Sequence, residues 1–231
     1  MRRRKFTSAA VSAAGLGALG VGVSARAAGL TESDAALGVR AALERGAVAA
    51  VGLLGKTGGF LDNPKVRIPL PGFLNEAAKL AKFTGQQQRV DALVTAMNRA
   101  AEQAVPQAKT LLINAVKAMS VEDGKQIITG GDNSVTQFFA TKTRAPLAVT
   151  FLPIVTRATE KVALADKYNA LAGKASGLGL LKKDDANIQQ YVTGKALDGL
   201  YLVIGDEERK IRQNPVGTGS AILQKVFGAL K

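Results

Sequence analysis

Between residues 87 and 119 the apolar side chains Val90, Val94, Met97, Ala101, Ala104, Ala108, Leu111 and Ala115 recur at alternating steps of four and three. That spacing predicts a long helix packed lengthwise on a neighbour. Half of the seam is alanine, with Ala100 beside it, so helix axes can approach closely. Pro106 lies inside the pattern and predicts a kink or a split there. An earlier run, Leu37, Val39, Ala42, Leu43, Ala47, Ala50 and Val51, predicts a helix over 32–54, opened by the capping-box variant Thr31-x-x-Asp34 and closed by Gly55 to Gly59.

The pattern then changes. Residues 60–73 carry Pro64, Pro69, Pro71 and Gly72 around the alternating Val66-Arg67-Ile68, which predicts an extended proline-rich arm with at most one short edge strand. Ser120-x-x-Asp123 caps a short helix ending at Gly130-Gly131, and Asp132, Asn133 and Ser134 offer N-caps for a helix over 135–142. Another helix is expected over 147–171, starting after Pro146 and containing Pro153, followed by a loop over 173–179. Ile188, Val192, Leu197, Leu200, Tyr201, Ile204 and Ile211 place a helix over 188–212, stopping before Asn214-Pro215, and 218–230 read as a terminal amphipathic helix. There is no internal repeat and no long linker. The expectation is an all-α single domain of about six or seven helices with an extended proline-rich arm and room for one minor strand pair.

Composition agrees with helices. Hydrophobic residues make up 47% of the 231, enough for a real core, yet aromatics are only 5%, and Ala, Leu and Val dominate. There is no Cys and no His. Disulfides, thiol nucleophiles, imidazole bases and Cys/His zinc sites are therefore excluded, and acid or base work falls to Asp, Glu, Lys or Tyr.

Residues 1–27 read as an export signal, leaving 28–231 as the domain. Met1 to Lys5 is a charged start, a mildly apolar stretch of Ala, Gly, Val and Leu follows, and Ala25-Arg26-Ala27 is a small-x-small cleavage site. Arg3, Arg4 and Phe6 match the twin-arginine pattern, so the export machinery of that route and a signal peptidase are the implied partners and the periplasm the expected location. The segment takes five cations and no acid with it, lowering the formal charge from +13 to +8. A basic surplus favours anionic partners, but the cations are scattered rather than clustered, so nucleic acid is not an expected one. No stable transmembrane segment is expected after processing.

Two nucleotide-like motifs fail on context. Gly15-x-Gly17-x-x-Gly20 lies within the export signal, not between a strand and a helix. Ala50 to Thr57, ending Gly55-Lys56-Thr57, meets the relaxed phosphate-loop pattern, and Leu200 to Asp206 resembles the apolar run and acid that hold magnesium. Yet a helical pattern enters the supposed loop and a proline-rich arm leaves it, so amides and a helix N-terminus cannot converge on a phosphate. No cofactor is implied.

Several longer motifs do point somewhere. Phe60-x-x-Asn63-Pro64 with Val66-x-Ile68-Pro69-Leu70-Pro71, Met97-Asn98-Arg99-Ala100-Ala101-Glu102, Asp132-x-x-x-Thr136, Lys195-Ala196-Leu197-Asp198-Gly199-Leu200 and Ile211-Arg212-x-Asn214-Pro215 occur in this order. In these the chain resembles the bacterial exported family known as domain of unknown function 4197, over nearly all of 28–231. The resemblance implies a helical domain and carries over no catalytic residue.

Among polar groups, Asn98, Arg99 and Glu102 fall on one flank of the alanine seam and either join helices in a polar network or face a ligand. Lys142 and Arg144, with Arg99 and Arg212, could form an anion site. Asp123, Asp132 and Asp198 carry oxygen ligands but lack the spacing of a calcium loop, and capping accounts for them more simply. Three functions follow: non-catalytic binding of an apolar or anionic envelope molecule such as a lipid, a hydrolase or lyase with a carboxylate base such as Glu102, and a structural protein-interaction module.

Overall fold

The computed structural model describes residues 32–72, 85, 87–131, 134–177, 187–214 and 217. The export signal with Arg3, Arg4, Phe6, Ala25 and Ala27, the capping Thr31, Asp132 and the helix expected over 218–230 lie outside the described residues. The helices are α1 (Glu32–Leu54), α2 (Gln87–Ala104), α3 (Ala108–Lys117), α4 (Val121–Thr129), α5 (Ser134–Thr159), α6 (Ala163–Gly177) and α7 (Ile188–Gln213). The turn Val105–Gln107, tightened into a 3-10 turn at Pro106, joins α2 to α3 end to end, so they form one bent rod. The fold is all-α and a single domain.

α7 is the central element. It packs between α1 and α5, while α2 lies along α5 and α3 against α1. Leu43, Ala47, Ala50 and Leu54 of α1, Leu93, Met97 and Ala101 of α2, Phe139, Phe151 and Val155 of α5, and Leu200, Tyr201 and Ile204 of α7 share one continuous core. Gly199 lets the arm approach α7 closely: a Cβ there would stand 2.9 Å from the Phe60 ring and 3.2 Å from Val66.

The α2–α3 seam is rotated at its two ends from the strict four-three pattern. Met97, Ala101, Ala104 and Ala108 are buried as expected, but Leu93, Leu112 and Val116 are buried in place of Val94, Leu111 and Ala115. The 3-10 turn at Val105–Gln107 interrupts the α-helical register between α2 and α3, and at 93 and 112 a leucine takes the buried position.

Two expectations at the prolines are corrected. The helices placed over 135–142 and from 147 are the single helix α5, which runs through Pro146 and Pro153. Both prolines sit on its exposed side, where the carbonyls of residues 142 and 149, deprived of an amide donor, can meet water. Leu147, Phe151 and Val155 keep the buried stripe unbroken across them. The chain breaks instead at 160–162, and α6 continues to Gly177 through most of the expected 173–179 loop. At α4 the capping box forms as read: Ser120 Oγ accepts from Asp123 N at 3.0 Å, and the Asp123 carboxylate accepts from Ser120 N at 3.0 Å.

The proline-rich segment is a strap of turns packed onto the helices. Gly58 takes a φ of +83° in the first of these turns, and Phe60, Val66, Ile68 and Leu70 are buried beneath the strap. The minor strand pair does not occur among the described residues, and the reason lies in Asn98. No described helix is long and apolar enough to cross a membrane.

Candidate functional site

The strap is held by two side chains one turn apart on α2. Asn98 is fully buried and offers its amide to Ile68 as a second strand would: Oδ1 accepts from Ile68 N at 2.8 Å while Nδ2 donates to Ile68 O at 3.0 Å. Nδ2 also donates to Val94 O at 2.8 Å, which uses both its donors. A side chain thus takes the place of a pairing strand at Val66-Arg67-Ile68.

Glu102, 4% exposed, receives the strap's turn. Its Oε1 accepts from both Phe60 N and Leu61 N at 3.0 Å, and its Oε2 accepts from Arg99 Nη1 at 2.6 Å. Burial alone would raise the pKa of this carboxyl, but the amides of Leu61 and Phe60, the Arg99 guanidinium and the Gly58 amide outweigh it and hold the pKa below the usual carboxylate value. Asn98, Arg99 and Glu102 are thus joined in a network that fastens 58–68 to α2. Both carboxylate oxygens of Glu102 already accept hydrogen bonds, the arrangement of a structural clasp.

The four cations weighed together as an anion site do not converge. Arg99 pairs with Glu102, Lys142 with Asp123 at 3.8 Å, Arg144 with Asp198, and Arg212 with Glu208 while also donating to Ile127 O at 2.8 Å. Arg144 also lies over the Tyr201 ring, 5.7 Å from its centroid. Each of these charges thus has a carboxylate partner, four in all on three helices, where the sequence expectation had them facing an anion. Asp123 and Asp198 are likewise committed, and among the described residues no three acidic side chains cluster as metal ligands would.

Gly55-Lys56-Thr57 closes α1 rather than opening a phosphate loop. Gly55 N returns to Val51 O at 2.8 Å, and Gly59 N to Lys56 O at 2.9 Å. A Cβ on Gly59 would stand 2.3 Å from Leu54 O, so glycine serves the tight turn. Asp206 is part of α7 and pairs with Lys65 and Arg209.

A different group of cations does share a surface. Between α2 and α5 runs a groove of about 370 Å³ lined by Ala96, Arg99, Gln103, Ile154, Arg157, Ala158 and Lys161. Among the described residues every charged side chain in that lining is basic. Arg157 and Lys161 are exposed, and neither has an ion-pair partner among the described residues. Their sequence signal was two like charges one turn apart, following a stretch, 145–156, without any charge. A larger depression of about 450 Å³ between α4 and α5 has Asp123 and Lys142 in its lining, and these neutralise one another.

Fold and groove together define a class: an all-α domain with a clasped strap and a basic furrow on its surface. The chain belongs to the family described as protein of unknown function (DUF4197), whose model matches residues 29–228. No match was found among curated proteins or among solved structures.

Proposed function

We propose that the processed chain works outside the cytoplasm as a non-catalytic protein that binds an anionic envelope molecule, seated in the groove between α2 and α5. The observation that carries this reading is the sign of the lining: its described charged residues Arg99, Arg157 and Lys161 are all basic, and while Arg99, like Lys142, Arg144 and Arg212, has a carboxylate partner, Arg157 and Lys161 have none among the described residues. Gln103 adds a neutral donor at the rim, and Ala96, Ile154 and Ala158 provide an apolar floor. Such a furrow suits a phosphate or carboxylate group attached to an apolar body. Arg99 is held by Glu102, so its guanidinium is already oriented. The export part of the proposal rests on Arg3-Arg4-Lys5-Phe6 and Ala25-Arg26-Ala27.

The test is a titration of the purified chain with inorganic phosphate and with glycerol phosphate at low ionic strength, followed by NMR. Binding is expected to map to the groove and to weaken by at least about ten-fold in Arg157→Gln combined with Lys161→Gln. Circular dichroism should show the double variant folded as before. No binding by the parent chain, or equal affinity in the variant, refutes the reading.

A further inference from the structure

α5 is apolar on both sides. Its inner face buries Val135, Phe139, Leu147, Phe151 and Val155. Its outer face presents Ala145, Pro146, Val149 and Pro153 to solvent, and Val149 keeps 75% of its surface exposed. A helix at a protein surface ordinarily turns charged or polar residues outward, and this one carries no charge from 145 to 156. The threonines do not supply the missing polarity. Thr150 Oγ1 donates back to Pro146 O at 3.0 Å and Thr156 Oγ1 to Leu152 O at 2.8 Å, which leaves their methyl groups as the outward chemistry. The uncharged stretch is about 18 Å long at 1.5 Å per residue.

One end of the strip runs into the basic groove, where Arg157 and Lys161 stand without acidic partners among the described residues. At the other end Lys142 and Arg144 are neutralised by Asp123 and Asp198, so the groove end sets the field. Arg157 and Lys161 outnumber the one acid of this end, the exposed Glu160, and apolar area ending in a net positive edge complements a lipid surface, where acyl boundary and anionic phosphates lie a few ångströms apart. Building on the groove as an anion seat, we infer that the outer face of α5 docks on an anionic phospholipid bilayer, with Arg157 and Lys161 on the lipid phosphates. The contact is shallow. The carbonyls of residues 142 and 149, which lose their amide donors to Pro146 and Pro153, need water and hold the helix at headgroup depth. No described helix is long and apolar enough to cross a membrane, and the inferred attachment is peripheral.

The absence of native cysteine makes the test local. Val149→Cys in the full chain carries an environment-sensitive fluorophore, and Leu37→Cys, on the exposed side of α1, carries the same label as control. Vesicles are either equimolar phosphatidylcholine and phosphatidylglycerol or phosphatidylcholine alone. The emission at Val149→Cys is expected to shift to the blue with the anionic vesicles only, with no comparable shift at Leu37→Cys. Adding Arg157→Gln and Lys161→Gln should weaken the response about five-fold per cation, roughly twenty-five-fold together. No shift at Val149→Cys overturns the inference, as does an equal response to neutral vesicles or at Leu37→Cys. A shift that follows protein concentration without lipid assigns the face to a second copy and overturns it too. If Val149→Cys is silent while phosphate binding still depends on Arg157 and Lys161, the bilayer falls and the groove stands; failure of both experiments removes both.

Discussion

Replacing Glu102 by alanine removes the point at which the strap is fastened, and the size of the loss can be worked from its bonds. Two backbone donors, Phe60 N and Leu61 N, each lose a charged acceptor at 3.0 Å. Hydrogen bonds to a charged partner contribute about 1.5–3 kcal/mol each. The Arg99 side chain is 33% exposed, so its ion pair adds less than about 1 kcal/mol. Leu61 is only partly buried, and water reaching its freed amide recovers part of the loss. The expected cost is about 3–4 kcal/mol, read by urea denaturation followed by circular dichroism, or a melting point lower by about 10 °C for a domain of this size. Glu102→Gln keeps an oxygen for both amides but turns the oxygen that faces Arg99 into an NH2 donor, so it loses the charge and the Arg99 bond and should cost about 1–2 kcal/mol. The pH dependence separates charge from shape. Because the folded pKa of Glu102 lies below its ordinary 4.5, its ionised form stabilises the protein above that value, and the contribution is lost as pH falls through the folded pKa. The stability gap between parent and Glu102→Gln is therefore expected to close on acidification from about pH 6 to about pH 3. A constant gap, or a Glu102→Ala loss under about 1 kcal/mol, refutes the clasp.

Asn98→Leu matches the side chain in size but leaves Ile68 N–H and C=O without partners in a buried site, so a loss of about 3 kcal/mol is expected in the same denaturation assay. Pro146→Ala restores an amide donor for the residue 142 carbonyl within one continuous α5, and should stabilise by about 1 kcal/mol; a loss would mean that two helices meet there. Gly199→Ala pushes a methyl group to 2.9 Å from the Phe60 ring and should cost about 1–3 kcal/mol, with Phe60 resonances shifting in NMR spectra.

Which parts of this architecture were legible beforehand depends on how local their causes are. The limits of α1 follow from apolar spacing and a glycine turn contained within its own residues, and the reading of 32–54 matches Glu32–Leu54. The α4 capping box is equally local, three residues closing on each other. The prolines of α5 misled because their local effect is real: each removes a bond. What outweighs it is the burial of Leu147, Phe151 and Val155 against neighbours that the segment itself does not reveal.

The polar residues divide in the same way. Helical spacing places Asn98, Arg99 and Glu102 on one flank, but nothing in their neighbourhood announces that their partners are backbone amides 30 to 42 positions away. Backbone amides exist at every non-proline residue and carry no sequence signal, so a clasp of this kind is visible only once the strap has been folded onto the helix. The four-cation site failed for the complementary reason. The sequence shows charges by type, whereas tertiary packing decides which meet an acid, and Lys142, Arg144 and Arg212 each do. Arg157 and Lys161 stand out by the reverse condition, a charge-free stretch before them and no acid opposite. It is the apolar strip, not the well-hydrated charge, that is unfavourable to leave in water, and an exposed apolar strip ending in unpaired cations, more than the presence of any one residue, directs attention to the α2–α5 groove.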